Sequence, residues 1–89
     1  MITTITKRDG RVAYFDINKI ANAIEKAFQA TSGAKSYATC LEMAQEVSDY
    51  FENENMDSPS VEQIQDRVER VLIDHGFVQT AKAYILYRA

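Results

Sequence analysis

The sequence predicts a mainly α domain with a small β-hairpin, the hairpin lying as a lid over a four-helix bundle. Two observations carry that prediction. The β-branched and aromatic runs "ITTIT" and "RVAYF" flank "KRDG", and an Asp-Gly pair between such runs is a strong hairpin signal. Downstream, four segments place apolar residues at the 3–4 spacing of a buried helix face, separated by polar or glycine-bearing breaks.

The strands are expected near residues 2–7 and 11–15, and because a lone hairpin is marginal in water it must rest on the helices. Asp16 can cap the first helix, whose Ile17, Ile20, Ala21, Ile24, Ala27 and Phe28 form one face before "TSGAKS" ends it with a glycine. A second helix begins near Ser36 or Tyr37, with Tyr37, Leu41, Ala44, Val47 and Phe51 on one stripe and carboxylates around the rest. "ENENMDSPS" is a loop, and "SVEQ" fits a capping box in which Ser60 and Gln63 satisfy free backbone donors reciprocally. The third helix buries Val61, Ile64, Val68, Val71 and Leu72, and Gly76 suits the left-handed position just past its end. There His75 is expected to meet the last carbonyls. The final segment, "VQTAKAYILYRA", has helical spacing but is apolar nearly all round, so it is either central or covered by a partner surface. Its unpunctuated ending reads as an N-terminal fragment cut from a longer chain.

At 89 residues the chain is one domain, 1–89, able to bury roughly 60–65% of its unfolded surface. No apolar run approaches the roughly 18 residues of a membrane span, and the N-terminus lacks a signal peptide's apolar region, which predicts a cytoplasmic protein that does not enter a membrane. One cysteine and one histidine argue against a metal site on protein side chains and against a Cys-His nucleophile. Charge is uneven: residues 1–35 carry six Lys/Arg against three Asp/Glu, while residues 36–89 carry four against ten. The first third is the anion-facing side. The acidic remainder argues against nucleic acid as a partner, since duplex binding needs a basic face that neutralises many phosphates.

Lys7 and Arg8 on the hairpin and Lys19 in the first turn of helix one can form a tri-cationic mouth for an anion such as phosphate. The alternative is that Lys7, Arg8 and Arg11 are solvated turn residues. Neither "GxxxxGK[ST]" nor "GxGxxG" occurs, so any nucleotide site must be built from side chains rather than a glycine cradle. No nucleophile has a base beside it, and no catalytic residue is expected.

"ITKRDGRVAYFDINKIANAI", "SVEQIQDRVERVL" and "AKAYILYR", in that order and spanning nearly the whole chain, resemble the ATP-cone, the nucleotide-sensing module at the N-terminus of many ribonucleotide reductase catalytic subunits. The last motif is similar to the anaerobic, glycyl-radical class. The resemblance implies ATP or dATP as effector, with Mg2+, held between hairpin and helices. By motif position Lys7 and Arg8 would hold phosphates with Lys19 in support, and Ile5 and Ile20 would line the adenine slot. Asp16 or Asn18 would meet the base's polar edge, with Val61, Ile64 and Gln65 as the opposite wall; Thr6 and Phe15 complete the implied nucleotide-binding set. Ala13 stands where some relatives have a carboxylate, and Gln65 where some have a histidine. In the family ATP permits activity and dATP stops it, usually through subunit assembly, which implies the catalytic core of the same polypeptide and self-association or subunit contacts as partners. A repressor family of reductase genes also contains this cone, behind a four-cysteine zinc ribbon. A third reading is an interaction domain that ignores nucleotides.

Overall fold

The hairpin turns where the Asp-Gly pair lies, but not by the two-residue turn that pair most often makes. Gly10 donates its N–H to the Lys7 carbonyl at 2.9 Å, and Lys7 donates to the Arg11 carbonyl at 2.7 Å. Only Gly10 in this turn has positive φ, at 86°, giving a type I turn closed by one left-handed residue. The structure, a computed structural model, describes residues 2–31, 33 and 35–88. The strands are β1 (Thr4–Thr6) and β2 (Val12–Tyr14), antiparallel, with Thr4 opposite Tyr14, Ile5 opposite Ala13 and Thr6 opposite Val12. They are shorter than the expected 2–7 and 11–15 because the turn takes over at Lys7 and the cap of the first helix at Asp16; one further bond, Phe15 N–H to the Thr3 carbonyl at 2.8 Å, continues the ladder.

Four helices follow: α1 (Ile17–Gln29), α2 (Tyr37–Asn53), α3 (Val61–Asp74) and α4 (Val78–Arg88). Their starts obey the sequence chemistry. Asp16 accepts from the Asn18 N–H, Ser36 from the Thr39 N–H, and Ser60 and Gln63 form the reciprocal capping box at 3.0 and 2.8 Å. At the end of α3 the Gly76 N–H reaches the Ile73 carbonyl and the Phe77 N–H the Leu72 carbonyl, a Schellman closure with Gly76 at φ +87°. Asn55, at φ 56°, closes α2 the same way, a role not anticipated from sequence. The turn expected across residues 31–36 and the last residue of "YILYRA" lie partly outside the described residues.

In the bundle α1 packs on α2 and α4, and α3 on the same two helices. Phe28, Ile24, Leu72, Val47 and Val68 are fully buried at the centre, and Phe28 meets Phe77 edge-on at 5.0 Å between centroids. Thr80, also buried, shares a 3.1 Å hydrogen bond with the Thr31 hydroxyl. α4 is not central: it buries Thr80, Ala81 and Tyr84 and leaves Ile85, Leu86 and Tyr87 exposed. The His75 ring also differs from expectation. Its backbone N–H closes the helix, while the ring stacks on Phe77 and lies 2.7 Å from the Glu46 carboxylate. Among the described residues no helix is long and apolar enough to cross a membrane.

Backbone hydrogen bonds tie the hairpin to the bundle at residues 58–60. The Thr6 N–H donates to the Pro59 carbonyl at 3.0 Å, Thr6 bridges Ser60 in parallel fashion, and the Thr6 hydroxyl lies 3.2 Å from the Ser58 carbonyl and 3.1 Å from its hydroxyl. Ile2, buried, and Ile5 and Phe15, half-buried, add apolar contact with the core.

Two measurements check this fold. Thr6→Val keeps the shape but removes the hydroxyl, and is expected to cost about 0.5–1.5 kcal/mol of stability and to speed amide exchange across β1 and β2 ahead of the helices. Burial pushes the Tyr84 hydroxyl up to about 12. The folded chain therefore holds that proton where the unfolded chain loses it, so stability is complete below pH 10 and falls as pH rises toward 12. In denaturant titrations the wild type is expected to lose up to about 2 kcal/mol relative to Tyr84→Phe across that window.

Candidate functional site

Between the hairpin and the bundle lies a cavity of about 260 Å³. Each wall follows from a simple periodicity. Side chains alternate along a strand, so Ile5 and Lys7 share a face of the hairpin, and Ala13, paired with Ile5, shares its face with Phe15; all four line the cavity. On α1 and its cap, Asp16, Lys19, Ile20 and Ala23 fall at 3–4 spacing and form the second wall. On α3, Val61, Ile64 and Gln65 form the third, and Tyr84 closes the floor from α4. Tyr14 contributes to the rim, with most of its ring in solvent.

The interior is mainly apolar, with Ile5, Phe15, Ile20, Val61 and Ile64 facing one another and two ammonium groups, Lys7 and Lys19, among the lining residues. Lys19 sits in the first turn of α1, at the end of the helix whose dipole favours an anion. Asp16 is the carboxylate in the lining, and one of its oxygens accepts from the Asn18 N–H at 3.0 Å. Gln65 carries a side-chain oxygen that is buried and takes no hydrogen bond. A group of that kind costs stability unless something satisfies it. The cavity thus combines an apolar interior with a polar edge at Asp16 and Gln65 and two lysines in its lining.

Of the residues singled out from sequence, Ile5, Lys7, Phe15, Asp16, Lys19, Ile20, Val61, Ile64 and Gln65 come together here. Thr6, Arg8 and Asn18 do not. Thr6 is engaged with Ser58 and Pro59. Asn18 accepts a 2.6 Å hydrogen bond from the Tyr37 hydroxyl, tying the start of α1 to that of α2. Arg8 turns toward α3, where its Nε lies 3.3 Å from the Glu62 carboxylate, and it lines a separate charged cleft with Asp66, Glu69 and Arg88. Strand alternation carries the reason: Thr6 and Arg8 stand one residue either side of Lys7 and so leave its face. Arg11 folds back on Asp9, donating from its backbone N–H at 3.0 Å and its Nε at 2.6 Å, and these bonds, the backbone one first, hold the Asp9 carboxyl below its usual range.

Ala13, Tyr14, Ala23 and Tyr84 are lining residues that the sequence reading did not include. Ala13 was available from hairpin pairing with Ile5 and Ala23 from its spacing after Ile20. Tyr84 had no such signal, because nothing local says which helix backs the hairpin.

Comparison with known proteins places this geometry in a family. The model of the ATP cone domain matches residues 3–89. The ribonucleoside-diphosphate reductase subunit alpha of Chlamydia pneumoniae is 39% identical over 94 residues, covering 98% of this chain and 9% of that protein. The vitamin B12-dependent ribonucleoside-diphosphate reductase of Thermoplasma acidophilum is 38% identical over 95 residues, covering 99% of this chain and 12% of that protein. The anaerobic ribonucleoside-triphosphate reductase of Haemophilus influenzae is 36% identical over 84 residues, covering 94% and 12% respectively. The chain therefore spans about a tenth of the length of the curated relatives it matches, and it belongs to the ATP-cone domain family.

Proposed function

We propose that this chain is the nucleotide-sensing regulatory module of a cytoplasmic ribonucleotide reductase, binding ATP or dATP in the hairpin cavity and passing the occupancy to a catalytic core and to subunit assembly. The observation that carries the reading is the cavity's combination of an apolar slot, an unsatisfied Gln65 oxygen and two lysines. Ligand sites generally enclose about 300–1,000 Å³. A cavity of about 260 Å³ is suited to a base and part of its sugar, with the phosphates outside near Lys7 and Lys19. The Gln65 amide can meet the amino edge of adenine, a donor that an unpaired oxygen accepts from. Magnesium would arrive on the phosphates and keep most of its waters, as it commonly does; among the described residues no three His, Cys, Asp or Glu side chains gather to hold a metal.

ATP and dATP differ by one hydroxyl, so a switch between them must rest on different affinities of two states of the protein for the two ligands. One hydrogen bond, about 0.5–1.5 kcal/mol, is a small difference for one module and a larger one when several subunits change together. The ending "AKAYILYR" favours the anaerobic kind of reductase; the three relatives include one of each of three kinds and do not choose among them.

Titration calorimetry with ATP and dATP in magnesium buffer is expected to give saturable micromolar binding, and no binding of either ends the proposal. Lys7→Ala is expected to weaken ATP about tenfold, equivalent to about 1.4 kcal/mol. Gln65→Met separates fold from function. Removing a buried, unpaired oxygen is expected to raise stability by about 1 kcal/mol while weakening ATP binding, measured by thermal unfolding and calorimetry on the same preparation.

A further inference from the structure

Building on the nucleotide-binding reading, we propose that Glu62 sets the affinity of the site by competing with ligand phosphate for the guanidinium of Arg8. Arg8 follows Lys7, which lines the cavity, and Glu62 follows Val61, which lines the opposite wall. Their 3.3 Å contact joins the hairpin to α3 in the charged cleft outside the cavity, one residue along each element from its lining, with Arg8 next in sequence to the Lys7 beside which the phosphates of the proposed ligand would lie.

The pair is held loosely compared with the other arginines on this side of the molecule. Arg11 is fixed by two bonds to Asp9 within its own turn. Arg88 is only 20% exposed and bridges both Asp66 and Glu69. Arg8 makes one contact through Nε, with side chains 63% and 60% exposed for arginine and glutamate, a geometry in which separation costs little. A triphosphate offers more acceptor oxygens and more charge than one carboxylate, and guanidinium bonds to phosphate are among the stronger kind. Glu62, when released, stays in the first turn of α3, where the exposed N–H groups favour a carboxylate. The exchange thus trades one weak pair for a stronger one, and the cost of breaking the first is subtracted from nucleotide affinity. With Glu62 neutral, that deduction disappears.

The test is a double-mutant cycle by calorimetry with ATP on the wild type, Glu62→Gln, Arg8→Ala and the double variant. Glu62→Gln is expected to tighten ATP about two- to fivefold, the range an exposed ion pair commands, and to change nothing once Arg8 is alanine. If Glu62→Gln binds ATP no tighter than the wild type, the contact is a strap and not a competitor, and the proposal is overturned. Equal tightening with and without Arg8 also overturns it, because general charge relief then accounts for the effect. Absence of binding by the wild type refutes the nucleotide reading itself, whereas wild-type binding without the Glu62 effect removes only this inference.

Discussion

The docking of β1 onto residues 58–60 is the constraint on which the rest of the site depends. Two strands of three residues cannot stand alone in water. What holds them is the Thr6 N–H on the Pro59 carbonyl, the Thr6 hydroxyl on Ser58, and the apolar contact of Ile2, Ile5 and Phe15 with the core. Ser60, which β1 bridges, is also the N-cap of α3. One short segment therefore starts the helix that supplies Val61, Ile64 and Gln65 and fixes the strand that supplies Ile5 and Lys7. Pro59 suits the middle of it: fully buried, it has no N–H to leave unsatisfied, and its carbonyl is the acceptor the strand needs.

Charge is arranged around the cavity with the same economy. Four cations occur within the first 19 residues after the N-terminus, and the fold divides them. Lys7 and Lys19 line the cavity, Arg11 is neutralised inside the turn by Asp9, and Arg8 is paired across to α3. Both lysines are exposed at the edge of the cavity, where solvent screens their charge. The Gln65 oxygen, by contrast, is buried and is a cost to the fold without a partner.

Much of this was legible in the sequence because local rules were sufficient for it. The Asp-Gly turn, the Asp16 cap, the Ser60–Gln63 box and the Gly76 closure each involve residues within five positions of one another, and each formed. Most residues lining the cavity were legible too, since the hydrophobic spacing of α1 and α3 already names the faces that meet. What local patterns did not show has identifiable reasons. Of Thr6, Lys7 and Arg8, strand alternation puts only Lys7 on the face of Ile5, so the other two lie outside the cavity lining. Asn18 found a hydroxyl 19 positions away in Tyr37, and the His75 ring found a carboxylate 29 positions away in Glu46, pairings no local pattern announces. α4 was read from its composition as either central or covered by a partner surface, and its position at the edge of the bundle depends on which helices flank it.

A cavity with walls on the hairpin, α1 and α3 has a consequence that a pocket within one element lacks. The hairpin and the helices are joined by the dock at residues 58–60, the Arg8–Glu62 contact, the packing of Ile2, Ile5 and Phe15, and the short link from β2 into Asp16. A ligand that touches both sides stabilises the arrangements in which it touches both, by the free energy of those contacts. The outer face of the hairpin, carrying exposed Val12 and Tyr14, moves with the inner face because opposite sides of a pleated pair share one backbone. Under the proposed function, occupancy of the cavity would bias the placement of that outer surface, and a difference in how two ligands fill the cavity would be passed on through the hairpin.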